Sequence, residues 1–139
     1  MQIQQIMTQG VEFVEGDTPI INAAELMRDE DIGFLPVCEN DRIVGTVTDR
    51  DITIRAVAQG FDPRTATVRE VMTQEVFYCY ADEDVEHAGK VMQENEVRRM
   101  LILNRQKRLA GVISLGDIAK AAGEKELAGE TLGQIAEAA

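Results

Sequence analysis

The sequence predicts an α+β protein, α/β-like in its alternation, built from two tandem copies of one β-α-β-β-α unit. Three observations predict it. First, the chain repeats itself: Ile6-Met7-Thr8-Gln9 returns as Val71-Met72-Thr73-Gln74 at a shift of 65, which also pairs Val11 with Val76, Asp17 with Asp82, Ala23 with Ala88 and Met27 with Met92. After one inserted residue the shift becomes 66 and pairs the run from Gly45 to Ile52 with the run from Gly111 to Ile118. Repeats of this length are supersecondary units whose open apolar faces need a second copy. Second, short apolar runs alternate with stripes at helical spacing inside each copy. Third, turn-forming and helix-capping residues fall between those segments.

The elements follow in chain order. Val11-Glu12-Phe13-Val14 and Val76-Phe77-Tyr78-Cys79 read as the first strand of each copy. Asp17-Thr18-Pro19 then opens a helix, a capping side chain standing ahead of a proline in the first turn. Ile20, Ala23, Ala24 and Met27 form its buried stripe; in the second copy Asp82 is the expected cap and Val85, Ala88 and Met92 the stripe. A hairpin comes next: Phe34 to Cys38 and Ile43 to Val47 flank the turn Glu39-Asn40-Asp41-Arg42. Its counterpart has Met100 to Leu103 and Leu109 to Ile113 around the longer turn Asn104 to Arg108, which holds the inserted residue. A second helix begins near Asp49 in one copy and near Leu115 in the other. Residues 6–58 are thus the first repeat, 59–69 a linker with Gly60, Asp62 and Pro63, and 70–122 the second repeat. Residues 123–139 form an acidic tail, either helical or loose.

Composition narrows the function. The chain has 139 residues, 45% hydrophobic and 28% charged, as a folded soluble protein does. Its 25 acidic and 14 basic side chains leave a net charge of −11. Such a body repels nucleic acid and anionic lipid, and 4% aromatics with no Trp supply few stacking platforms. No apolar run nears the roughly 18 residues that span a bilayer, and the N-terminus does not read as a secretory signal. Cys38 and Cys79 form no CxxC pair, which fits a reducing cytoplasm. No Ser/His/Asp or Cys/His arrangement supplies a nucleophile with a partner base, so no enzyme activity is expected. No metal site is expected either: His87, Cys38 and Cys79 are the soft ligands available, and they lie far apart in the sequence.

Chemistry concentrates where the last strand of each copy meets its helix. Ser114 at a helix start and Asp117 three residues later resemble a capping box. The same hydroxyl and carboxylate suit the vicinal hydroxyls of a ribose, while free backbone N–H groups and the helix dipole attract phosphate. Thr48 and Asp51 repeat the arrangement. Arg98 and Arg99 precede an apolar strand, and adjacent residues on a strand face opposite ways, so one of the two can turn toward a site. Arginine suits phosphate because its planar fork makes paired, charge-assisted hydrogen bonds.

These residues resemble the cystathionine-β-synthase (CBS) domain family. The resemblance spans Ile6 to Ala122 and rests on four features: the two Met-Thr openings, the hairpin entry Leu35-Pro36-Val37, and the endings Gly45-Thr46-Val47-Thr48-Asp49-Arg50-Asp51 and Gly111-Val112-Ile113-Ser114-Leu115-Gly116-Asp117. Asp49-Arg50-Asp51-Ile52 followed by Gly60-Phe61-Asp62-Pro63 is similar to stand-alone bacterial CBS pairs of the hypoxic-response type. The resemblance implies a Bateman module, two repeats packed sheet-to-sheet about a pseudo-twofold axis, with two clefts that hold adenosyl ligands in many members. It further implies that one cleft uses Thr18 and Ala23 near adenine, Ile32, Gly33 and Phe34 as wall, Val112 at the base, Ser114 and Asp117 at the ribose and Arg98 or Arg99 at phosphate. The other would use Ala88, Val97 and Arg98 with Thr46, Thr48 and Asp51. That cleft is expected to be weaker. Glu83 stands at its small hydroxyl position, and Gly33-Phe34 replaces the paired basic residues unless Arg50 or Arg55 compensates.

The expected function is therefore a non-enzymatic, cytoplasmic regulatory module. It would bind an adenine nucleotide, AMP foremost, with ATP, ADP or S-adenosylmethionine as further candidates and no obligatory cofactor. A homodimer and a separate protein partner are implied, without nucleic acid or membrane. Two other readings remain open: a structural or protein-interaction module with no physiological nucleotide, and a metal-responsive sensor.

Overall fold

Each copy of the repeat builds one three-stranded sheet in this computed structural model, which describes residues 1–121. The first comprises β1 (Val14–Glu15), α1 (Ile20–Glu30), β2 (Phe34–Glu39), β3 (Arg42–Thr48) and α2 (Asp49–Asp51), the last continuing as a π-helical stretch over Ile52–Val57. The second comprises β4 (Tyr78–Tyr80), α3 (Val85–Asn95), β5 (Arg99–Leu103), β6 (Leu109–Ser114) and α4 (Leu115–Lys120). In both sheets the first strand runs parallel to the second and the second antiparallel to the third. The fold is α+β with a tandem β-α-β-β-α order, as the duplicated pattern predicts. The tail expected over 123–139 lies outside the described residues.

Local chemistry explains most boundaries. Asn40 and Asp41 both hold positive φ, 53° and 62°, which gives the twist that joins β2 to β3 through a two-residue turn. In the longer turn the Asn104 side-chain oxygen accepts the N–H groups of Gln106 and Arg108, each at 3.0 Å. The opening strands begin two or three residues later than the apolar runs suggest. A short parallel strand exists only where its neighbour faces it, and Val14 pairs with Val37 while Tyr78 pairs with Leu101. Phe13, counted as strand by its type, is about half exposed.

The helix starts differ from the sequence expectation. Asp17 does not cap α1: Pro19 occupies the cap position without a side-chain bond, and the N–H groups of Ile20 and Ile21 donate to the carbonyls of Ala66 and Pro63 at 3.0 and 2.9 Å. Asp82 does not cap α3 either. Asp84 does, accepting the Glu86 N–H at 2.9 Å. Asp82 instead pairs with Arg105 at 2.9 Å, and the hydrogen bond from that guanidinium holds its carboxyl below the usual range. Both helices end on left-handed non-glycine residues, Asp31 and Glu96, and the N–H groups of Ile32 and Val97 return to the carbonyls of Met27 and Met92.

The chain forms two compact units: Glu12–Val76, and Met1–Val11 together with the chain from Phe77 on. The first buries Ile20, Leu35, Val37, Val47 and Val68 completely; the second buries Ile3, Val85, Met92, Ile102, Ile113 and Ile118 completely. The opening segment of each repeat therefore packs with the other repeat's sheet. Thr8 and Val112 exchange two backbone hydrogen bonds at 2.9 and 3.0 Å, and Thr73 and Thr46 do the same at 2.8 and 2.9 Å. Part of the stretch 59–69 has a structural role, because Ala66, Val68 and Arg69 bond to the start of α1 and the turn before it. Val68 N–H donates to the Thr18 carbonyl and Arg69 N–H to that of Gly16. Ile3 and Gln4 repeat these bonds on Glu83 and Ala81. The structural repeat thus begins at Ile3 and Val68, each opening a single 3-10 turn with its side chain fully buried.

Candidate functional site

The expected ribose-binding pairs lie at two strand-to-helix junctions and both are capping boxes. At the start of α4 the Asp117 N–H donates to Ser114 Oγ at 3.1 Å, and the Ser114 N–H donates to Asp117 Oδ2 at 2.8 Å. At α2 the Asp51 N–H donates to Thr48 Oγ1 at 3.0 Å and the Thr48 N–H to Asp51 Oδ2 at 3.1 Å. All four residues are half-buried. A box of this kind occupies one carboxylate oxygen and one hydroxyl lone pair, leaving the hydroxyl proton and the second carboxylate oxygen for a ligand. The junctions differ in that remainder. Asp51 Oδ1 lies 3.8 Å from Arg55, whereas Asp117 Oδ1 has no partner among the described residues.

In the second unit Arg98, Arg99, Val112, Ser114 and Asp117 are neighbours. Arg99 stands opposite Ser114 across β5 and β6, and the Arg98 carbonyl accepts the Leu115 N–H at 2.8 Å, which pins it to the first turn of α4. Both arginines are exposed. The Arg98 guanidinium has no partner among the described residues, so it keeps its full hydrogen-bonding capacity. Val112 has both backbone groups engaged by Thr8, and the residue is half-buried. Val97 follows α3, and Ala88 is completely buried in the core of this unit.

In the first unit Ile32, Gly33, Phe34, Thr46, Thr48 and Asp51 gather at the corresponding junction. Phe34 faces Thr48 across β2 and β3, and the Gly33 carbonyl accepts the Asp49 N–H at 3.0 Å. Gly33 and Phe34 therefore occupy the places that Arg98 and Arg99 hold in the second unit. A Cβ on Gly33 would lie 2.8 Å from Asp49 Oδ2, the end of an exposed side chain that can turn aside. Arg55 Nη1 is held by the carbonyls of Val71 and Met72 and by Thr73 Oγ1 at 3.1–3.2 Å. Thr18 is half-buried beside the entry to α1, and Ala23 is completely buried in the core, offering no surface to solvent.

A cluster that the spacing of the sequence argued against also forms. Cys79 on β4, Glu83 in the turn after it and His87 in the first turn of α3 offer ligand atoms within 4.8 Å of one another. Sequence distance misled here because the turn from Ala81 to Asp84 folds the helix start back over the strand. A readable signal existed: Glu83 and His87 are four apart, the spacing that aligns side chains near a helix start. Cys38 belongs to β2 of the other unit and to no such cluster among the described residues.

Both cysteines are buried free thiols. Burial, followed by the Glu15 and Asp41 carboxylates, pushes the Cys38 thiol up to about 11 from 9.0. Burial and then Glu83 push Cys79 up to about 12. A raised thiol pKa stabilises the fold below the unfolded value and the stabilisation is lost as pH rises through the folded value. The stability of a Cys38→Ala variant should therefore fall less steeply than that of the parent between about pH 9 and 11, measured by urea unfolding. Parallel curves would show that Cys38 keeps an ordinary pKa.

Comparison with known proteins identifies the family and the fold. The CBS domain profile matches residues 3–57 and 68–124. Hypoxic response protein 1 of Mycobacterium tuberculosis is 39% identical over 118 residues, covering 84% of this chain and 82% of that protein. A crystal structure of Hypoxic Response Protein I with two coordinated zinc ions superposes with a TM-score of 0.77 at 38% identity, over 86% of this chain and 98% of that one. The CBS domain pair of protein MJ0100, in complex with 5′-methylthioadenosine and S-adenosyl-L-methionine, superposes with a TM-score of 0.75 at 25% identity, over 90% and 98% of the two chains.

Proposed function

The chain belongs to the CBS-domain family as a tandem pair, and we propose that it is a non-enzymatic regulatory module that binds an adenine nucleotide, AMP foremost. It signals through altered conformation or association, acting in the cytoplasm as a homodimer on a separate protein partner. The observation that carries this reading is the Ser114–Asp117 junction, where Asp117 has a carboxylate oxygen without a partner among the described residues and the Arg98 backbone is pinned to the same helix start. A carboxylate accepts hydrogen bonds from a ribose diol, and a guanidinium meets a phosphate. Thr18, Ile32, Gly33 and Phe34 of the first repeat are the further residues that the family resemblance assigns to such a ligand, whereas Ala23 and Ala88 are core residues of their own units. The Thr48–Asp51 junction of the first unit is the weaker candidate, since Arg55 already partners Asp51 and binds backbone carbonyls. That a related CBS pair holds methylthioadenosine and S-adenosylmethionine supports an adenosyl ligand. Among the described residues no helix is long and apolar enough to cross a membrane.

A thermal-shift panel of AMP, ADP, ATP, S-adenosylmethionine and NAD tests the reading. A ligand that binds only the folded state adds roughly 2.7 kcal/mol at a hundredfold excess over its Kd, so at least one compound must raise Tm. No shift at millimolar ligand would leave a protein-interaction module as the function. Asp117→Asn keeps an acceptor for the Ser114 N–H while discarding the charge, and is expected to abolish the AMP shift with a folded protein remaining. Replacing Arg98 and Arg99 together by Ala is expected to weaken AMP more than adenosine. Equal losses would assign the arginines to the fold alone.

A further inference from the structure

The β4–α3 junction of the second unit carries a second kind of chemistry, separate from the Ser114–Asp117 junction. Three different donor atoms converge there: the Cys79 sulfur, a Glu83 carboxylate oxygen and a His87 imidazole nitrogen, all within 4.8 Å of one another. Their placement is supported from behind. The Tyr80 N–H donates to Glu83 Oε1 at 2.7 Å, fixing the carboxylate, while Glu83 Oε2 sits 3.1 Å from His87 Nε2. Cys79 is buried in the core of this unit, Glu83 is partly covered and the His87 side chain is about half exposed. The cluster therefore has a closed inner side and an outer side reachable from solvent.

We propose that Cys79, Glu83 and His87 form a zinc(II) site with its fourth position open to solvent. The donor set selects the metal. A thiolate, an imidazole and a carboxylate together match borderline-soft zinc, whereas magnesium and calcium take oxygen donors. Tetrahedral bonds of about 2.3 Å to sulfur and 2.0–2.1 Å to nitrogen and oxygen place donors roughly 3.3–3.7 Å apart. The present spacing needs a contraction of about 1 Å, within reach of a side-chain rotation by half-exposed His87. Binding displaces the Cys79 proton to solvent, and the resulting thiolate with the Glu83 carboxylate balances the two charges of the ion. Three protein ligands with one open position leave room for water or for a donor from a binding partner.

The site has a structural consequence. Glu83 also accepts the Ile3 N–H through its carbonyl at 2.8 Å, the Ala81 carbonyl accepts Gln4 N–H at 2.9 Å, and the Met1 carbonyl accepts the Val85 N–H at 3.0 Å. An ion at this junction tightens the turn on which the N-terminal segment docks, so zinc occupancy stabilises the unit made by Met1–Val11 and the chain from Phe77 on.

Full-length protein stripped with chelator and titrated with Zn(II) against a chromogenic competitor tests the proposal. The expected result is one tight ion per chain, a higher Tm on loading, and, with Co(II) as the probe, a thiolate-to-cobalt charge-transfer band alongside tetrahedral visible bands. His87→Ala alters a half-exposed residue and leaves the fold intact; at least a tenfold weaker ion and no Tm rise are expected. Cys79→Ser should remove the charge-transfer band, and Cys38→Ser should change nothing. A cobalt spectrum without thiolate character, or zinc affinity unaltered in His87→Ala, would overturn the site. Neither outcome touches the AMP reading, which rests on the Ser114–Asp117 junction at the start of α4.

Discussion

Gly111→Ala is expected to destabilise the protein by about 3 kcal/mol, the upper end for forcing extra volume into a packed contact. A Cβ at Gly111 would lie 2.6 Å from the Thr8 carbonyl oxygen and 2.9 Å from Met7 Sδ. The methionine can swing aside, but the carbonyl belongs to a backbone that Val112 holds by two hydrogen bonds. The segment must therefore detach or the sheet must distort. Gly45→Ala is expected to behave alike, its Cβ facing the Thr73 carbonyl at 2.7 Å. Gly116→Ala is the control: its nearest contact is Ser114 Oγ at 3.6 Å in the first turn of α4, where Ala favours the helix. Urea unfolding of the three variants decides the matter. A cost below about 1 kcal/mol for Gly111→Ala would show that the opening segment does not seat on β6 in solution.

Ile3→Ala is expected to cost about 3 kcal/mol, as much as truncating a residue at the centre of a sheet. Residues this near a chain end commonly fray. Ile3 does not, being completely buried in the core that Val85, Met92, Ile102 and Ile113 share. The counterpart Val68→Ala, removing a smaller side chain from the first unit, is expected to cost about 2 kcal/mol. Gln4→Ala alters an exposed neighbour and should stay within about 0.5 kcal/mol. If Ile3→Ala matched Gln4→Ala, the N-terminal turn would contribute nothing to the second core. Because the repeats exchange their opening segments, a loss at Ile3 weakens the unit far along the chain from it, which ties the stability of one repeat to the start of the other.

What was legible in the sequence is whatever local chemistry enforces. The duplication, the hairpins and the helical stripes follow from spacing alone, and the Ser114–Asp117 and Thr48–Asp51 capping boxes formed as their three-residue separation indicates. The correspondence of Gly33-Phe34 with Arg98-Arg99 was legible too, from the constant shift of 65 between the copies. The helix stops were not: Asp31 and Glu96 adopt left-handed geometry without the glycine that would announce it, held by bonds from the next residue back to Met27 and Met92. Nor were the caps of α1 and α3. Asp17 and Asp82 look suited to the task, yet the α1 amides find carbonyls some forty residues away, a choice invisible to any short window.

By itself, then, the sequence determined the repeat, the order of its elements and the donor groups each copy offers. Those are consequences of side-chain period and of bonds closed within one helical turn. Tertiary structure alone decided which opening segment completes which core, why Arg55 is spent on the carbonyls of Val71 and Met72, and that Cys79 meets Glu83 and His87. Each of these depends on backbone groups and strand register far apart in the chain, where the gain comes from satisfying buried polar atoms and filling space, and neither demand is written in any neighbouring residues.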